Sequence, residues 1–168
     1  LIEEISGIPY REFVEKEIFA PVSMDRSGYF AMNRLPEGTA CGYVEEENGW
    51  RTNIYNLPII GASDGGAYTT IHDIERLWDM FWSYRILSKE MVETYSAPYV
   101  KTTSESAGRF YGHGIWIRAG ADTEEYIVGE DAGVSFYSGL TQAKDLLVTV
   151  ISNTTEGAWP ILREILKD

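Results

Sequence analysis

The chain has 168 residues, with 26 acidic against 14 basic residues, a formal charge of −12, 44% apolar and 13% aromatic content. That content excludes a disordered acidic tail, and the length fits one domain with one sizeable core. No cluster of Lys and Arg is present to neutralise phosphates, so a nucleic-acid partner is excluded as well.

The chain opens Leu1-Ile2-Glu3-Glu4-Ile5, without Met and already in a helical pattern. We expect a fragment that starts within a helix, with Gly7 as its C-terminal stop. Pro9 is expected at the first position of the next helix, where no N–H is needed. Tyr10, Phe13, Val14 and Ile18 fall on one face of it, and Pro21 ends the run. Residues 22–38 show no period and read as loop. A hairpin follows, with strands over Thr39 to Glu45 and Trp50 to Tyr55. Asn48-Gly49 supplies the positive φ values of its turn.

Gly61 to Ala67 is the most glycine-dense stretch, and it leads to Thr70-Ile71-His72-Asp73. Thr70 is expected to cap a helix while Asp73 reaches back to the cap. Ile71, Ile74, Leu77, Trp78, Phe81 and Trp82 then form the apolar stripe of a buried helix. Ser88 begins a short helix through Tyr95, ended by Pro98. Four β-prone runs follow: Tyr111 to Arg118, Glu124 to Gly129, Val134 to Leu140 and Leu146 to Ser152. Their short links require antiparallel neighbours, hence a meander. Trp159, Leu162, Ile165 and Leu166 give one face of a closing helix, with Pro160 in its first turn, that covers one face of the sheet. The fold class is α+β: residues 1–100 mainly helical with a hairpin, residues 101–168 sheet strands and a C-terminal helix.

Few residues offer chemistry on their own. Glu45-Glu46-Glu47 reads as a solvated loop tip. The single Cys41 excludes an intrachain disulfide. His72 and His113 lack metal-binding spacing, so no metal and no cofactor is expected. Leu146 to Ile151 is too short to span a bilayer, and the compartment stays open. Gly61-Ala62-Ser63-Asp64-Gly65 matches G-x-S-x-G, in which a serine sits on a strained strand-to-helix turn. Pro58 spoils the preceding strand and the helix starts too late, so Ser63 is only an alternative nucleophile beside the plain reading of a glycine-rich turn. Glu130-Asp131 has the composition of an acid–base pair and equally that of a polar turn.

Several blocks together resemble the serine β-lactamase and penicillin-binding-protein-like family, with its class-C-type β-lactamases, esterases and D-aminopeptidases. Leu1 to Tyr10, Phe13-Val14 and Ile18 to Met24 are similar to its "I-I-E-x-x-S-G-x-x-Y … I-F-x-P-L-G-M" helix pair. Gly65 to Asp73 resembles "G-G-L-x-S-T-x-x-D". Tyr111 to Trp116 resembles the "Y-G-x-G-W" strand, and Leu146 to Thr154 the "V-V-V-L-x-N" strand before the last helix. The blocks run in order over nearly the whole chain. The resemblance implies the C-terminal portion of a β-lactamase/transpeptidase-like fold.

It also implies acylation of a serine in an S-x-x-K motif, with a Tyr-x-Asn pair and backbone N–H groups that hold the oxyanion. No serine here is followed three residues later by lysine, and no Tyr-x-Asn occurs. Thr141-Gln142-Ala143-Lys144 has the spacing but falls in a turn between strands. In the family both motifs precede the helix that ends at Leu1 to Ile5, so the fragment is expected to lack turnover. The family's Lys-Thr-Gly or His-x-Gly motif corresponds to Glu130, Asp131 and Ala132, with Gly133 as an oxyanion donor or a turn glycine. Two acids where the family has a cation imply a neutral or cationic small-molecule or peptide substrate. The alternative is a non-catalytic protein that binds a peptide or cell-wall fragment. The resemblance further implies that neighbouring strands are missing beside Leu146 to Ser152, an exposed edge through which self-association is expected.

Overall fold

The computed structural model describes residues 1–102, 108–120, 123–141 and 145–166. The chain starts with helix α1 (Ile2–Ser6), stopped by Gly7 at φ 74°. Helix α2 (Tyr10–Val14) follows, with Pro9 one position earlier than expected, at the N-cap. The path then runs through a π-helical turn (Glu15–Phe19) and a 3₁₀ turn (Ala20–Val22) that accommodates Pro21.

Strands β1 (Tyr43–Glu46) and β2 (Gly49–Thr52) form the hairpin. Glu46 pairs with Gly49, so the turn residues are Glu47 and Asn48 and the expected Asn48-Gly49 turn is displaced by one. Helix α3 (Ile71–Trp82) is capped by Thr70, whose hydroxyl accepts the Asp73 N–H. Helix α4 (Lys89–Tyr95) is capped by Ser88.

Six strands form one antiparallel meander: β3 (Val100–Lys101), β4 (Arg109–Tyr111), β5 (Trp116–Arg118), β6 (Glu124–Asp131), β7 (Val134–Thr141) and β8 (Leu146–Ser152). The expected single strand from Tyr111 to Arg118 is two short ones. Gly112 closes a tight turn with Ile115, and its backbone lies against the Tyr95 carbonyl, where a Cβ has no room. Helix α5 (Ala158–Ile165) closes the chain.

The sheet is covered on both faces, not one. Tyr126, Tyr137, Val148 and Val150 face α5 and bury Ala158, with Trp159 and Leu162 packed around them. Ile127, Phe136 and Leu147 face α3, where Ile74 and Trp78 meet Val22 and Met24. The alternation of adjacent strand residues between the two faces builds both layers from one sheet. A polar link crosses the second layer: the Trp78 indole donates to Ser138 at 2.8 Å, and Ser138 shares a hydrogen bond with Thr149 at 2.8 Å. Helix α5 has no cap of its own. Buried Ser135 accepts the Ala158 N–H and donates to the Thr154 carbonyl, which fixes the helix start against β7.

Asp73 is fully buried. Its carboxylate does not reach back to Thr70. It accepts the Arg26 N–H at 3.0 Å and the Ser27 hydroxyl at 2.7 Å, and it pairs with Arg76 at 2.8 Å. That clamp draws loop residues 25–28 onto the start of α3. Replacement of Asp73 by Ala leaves these donors without their acceptor in the interior. The expected loss is about 3 kcal/mol, or roughly 6–12 °C in thermal unfolding followed by circular dichroism.

Candidate functional site

Glu130, Asp131, Ala132 and Gly133 come together at the β6–β7 hairpin tip. Asp131 pairs with Val134, so Ala132 and Gly133 are the two turn residues. Gly133 has φ 76°, a conformation that favours glycine, and a Cβ there would lie 2.8 Å from Asn53 and 2.9 Å from the Tyr43 nitrogen. The Asp131 carboxylate accepts the Ala132 N–H at 2.7 Å and steadies the turn.

Three segments converge on this tip. Asn53, buried at the end of β2, donates to the Ala132 carbonyl at 2.9 Å. The Tyr43 N–H donates to the Asn153 carbonyl at 2.9 Å, and the Asn153 side chain donates to the Cys41 carbonyl at 2.9 Å. The Gly133 N–H donates to the Thr155 hydroxyl at 2.9 Å. The Gly133 N–H thus has a partner within the chain, and Gly133 is one of the two turn residues of the hairpin.

Glu130 points to the α5 face, where the Trp159 indole donates to its carboxylate at 2.7 Å. No Lys or Arg among the described residues pairs with Glu130 or Asp131. The adjoining backbone is open. Strand β5 pairs with β6 only from Glu124 to Tyr126, and no strand among the described residues faces Ile127 to Asp131 on that side. Val128, Gly129, Glu130 and Asp131 are exposed there, and Gly129 has open space where a Cβ would stand.

Ser63 lies elsewhere, in a tight turn closed by paired hydrogen bonds between Ala62 and Gly65. It is exposed, its turn follows no strand, and α3 starts only at Ile71. The strained strand–turn–helix geometry of a nucleophile elbow is absent. His113 sits in the β4–β5 turn against the rings of Tyr95 and Tyr99, at 5.7 and 4.8 Å. His72 lies 3.7 Å from Glu75 on the surface. Thr141-Gln142-Ala143-Lys144 runs beyond the described residues after Thr141. Among the described residues no group of three His, Cys, Asp or Glu is placed to hold a metal ion, and no helix is long and apolar enough to cross a membrane.

Sequence reasoning missed Asn53 and Thr155, which place the tip, and the open half of β6. Asn53 reads as an ordinary polar residue at a strand end. The open edge depends on where β5 begins, at Trp116 opposite Tyr126, which the glycines at 112 and 114 hinted at without locating.

The glycines of the tip and its edge separate turn geometry from strand geometry. Gly133→Ala is expected to lower stability by about 2 kcal/mol, through both φ and contact. Gly129→Ala is expected to change it by less than about 0.5 kcal/mol. Urea unfolding of the two variants measures the contrast.

No family model matches the chain. The protein PbpX of Bacillus subtilis (strain 168), named as a penicillin-binding protein, is 22% identical over 162 residues, which are 94% of this chain and 38% of PbpX. A penicillin-binding protein from Bacillus halodurans matches with TM-score 0.92 and 35% identity, over 98% of this chain and 50% of its own. The octameric penicillin-binding protein homologue from Pyrococcus abyssi matches with TM-score 0.82 and 25% identity, over 99% of this chain and 40% of its own. A D-amino acid amidase from Ochrobactrum anthropi SV3, at 17% identity and TM-score 0.78, shares the fold. The chain therefore spans half or less of the length of the three penicillin-binding-protein relatives. Its homologues and structural neighbours are penicillin-binding-protein and β-lactamase-like proteins, and its α+β architecture is theirs.

Proposed function

We propose that residues 1–168 form part of a larger β-lactamase-like serine hydrolase domain that catalyses acyl transfer on an amide, ester or β-lactam. The observation that carries this reading is the open half of β6, Ile127 to Asp131, beside the hairpin tip, on a fold shared with penicillin-binding proteins. A free strand edge offers main-chain donors and acceptors at a fixed spacing, and an extended acyl substrate can align on it. The nucleophile and its lysine are not supplied by this chain, which has no S-x-x-K serine. Turnover also needs a general base beside the attacking oxygen, and Ser63 has no such setting. Glu130 and Asp131 set the sign of the edge: they oppose an anionic substrate and favour a neutral or cationic small molecule or peptide.

The isolated chain is expected to show no hydrolysis of nitrocefin or p-nitrophenyl esters above the uncatalysed rate, and Ser63→Ala is expected to change nothing. Turnover by the isolated chain that disappears with any in-chain serine overturns the reading.

We also propose self-association through β8. Among the described residues its one strand neighbour is β7, and Leu146 and Ile151 are exposed along it. An unpaired edge with apolar side chains is a template for another strand. The octameric state of the Pyrococcus abyssi homologue is compatible with such association. Sedimentation velocity is expected to show a dimer or larger species whose population falls when Ile151 is replaced by Lys. A monomer at high concentration counts against it.

A further inference from the structure

On the α5 face of the sheet, Arg109 and Arg118 are direct cross-strand partners. Two like charges opposite each other destabilise an antiparallel pair, and something must offset the repulsion. One carboxylate is at hand. Buried Glu124 pairs with Arg118 at 2.5 Å and takes the hydroxyl proton donor of buried Tyr137 on its other oxygen. Arg118 also lies over the Tyr126 ring, 5.6 Å from its centre. Among the described residues Arg109 has no such partner. Its Nε is shielded from water and makes no hydrogen bond among the described residues.

The two guanidinium groups border a hollow of about 380 Å³, lined otherwise by Trp116, Tyr126, Val128, Tyr137, Trp159 and Leu162. The rings of Trp116, Tyr126 and Tyr137 stack in succession, with centres 6.3 and 5.6 Å apart. An apolar, aromatic hollow bordered by a guanidinium whose buried Nε has no hydrogen bond among the described residues has the composition of a small-molecule site. Its sign is opposite to that of the chain, which carries a net −12.

We propose that this hollow binds a carboxylate attached to an apolar or aromatic body, with the carboxylate on Arg109 and the body against Trp116, Tyr126 and Trp159. A planar carboxylate matches the guanidinium fork, and its charge offsets the Arg109–Arg118 repulsion. The site adjoins the β6 edge, with Val128 lining it, and does not depend on the acyl-transfer reading. Trp159 stands between the two, with its ring lining the hollow and its N–H on Glu130.

The test uses 3-phenylpropionate, with 3-phenylpropionamide as its uncharged twin, titrated into the chain while the indole N–H signals of Trp116 and Trp159 are followed by NMR. The carboxylate is expected to shift both signals with a Kd on the order of 1–10 mM. The amide is expected to bind about tenfold more weakly. Arg109→Gln is expected to abolish the preference and, without ligand, to raise the melting temperature because the like-charge pair is gone. Arg109→Lys keeps the charge and loses the fork, and is expected to fall between the two. Equal binding of acid and amide overturns the proposal, as does an unchanged acid affinity in Arg109→Gln. Binding by this chain that is lost in a longer form of the protein assigns the hollow to a protein side chain and also overturns it.

Discussion

A fully buried carboxylate joins the loop half of the chain to the helical layer. Asp73 has three donors on it from two segments, the loop at Arg26 and Ser27 and the helix at Arg76. A charge in the interior is tolerated only when it is surrounded in this way, so the loop has one acceptable position. That position brings Val22 and Met24 into the layer under α3. It also sets the exchange of backbone bonds between Gly28 and Tyr68, which closes the loop onto the stretch that leads into Thr70. Helix α3 then passes its orientation to the sheet through Trp78, Ser138 and Thr149. The placement of the sheet relative to the helices thus descends from polar satisfaction as much as from apolar burial.

At the far end of the sheet a second convergence fixes the hairpin tip. Gly42, Gly133 and Gly157 are all places where a side chain has no room. Glycine there lets backbones from the β1–β2 hairpin, the β6–β7 turn and the loop before α5 approach one another. The hydrogen bonds of Asn53, Asn153 and Thr155 then hold that approach. The tip is held through this packing, while the edge of β6 next to it has no partner strand among the described residues.

Much of this architecture is legible in the sequence. Period and capping located α3, α4 and α5, and short links between β-prone runs gave the meander. What period cannot show is where a strand is interrupted. Tyr111 to Arg118 reads as one run because its residues are β-prone, yet Gly112 and Gly114 turn the backbone within it. Nor does local pattern reveal partners distant in sequence. Asp73 has the spacing of a capping residue, and its true acceptor role toward Ser27 arises from tertiary packing. The same limit applies at Gly133. Its N–H bonds to the Thr155 hydroxyl, 22 residues on, a partner that local pattern does not show. The four residues from Glu130 to Gly133 were placed together by simple adjacency, and the sequence located them without their orientation.

Charge shows the same division between what composition says and what position decides. The net −12 describes an acidic surface. Within it, Glu124, Arg118, Arg109 and Glu130 are distributed over one face of the sheet, and their registers, not their number, determine the local field. Arg118 stands between Arg109 and Glu124 because β5 pairs with both β4 and β6. Glu124 therefore compensates the nearer guanidinium and leaves the farther one. Burial raises the Tyr126 hydroxyl above its ordinary range while Arg109 and Arg118 act in the opposite direction. At Tyr137 burial likewise comes first, and its bond to Glu124 adds to it, so this hydroxyl keeps its proton and serves Glu124 as a donor. The acidic edge and the cationic hollow are thus two regions of opposite sign on adjacent strands, divided by the indole of Trp159.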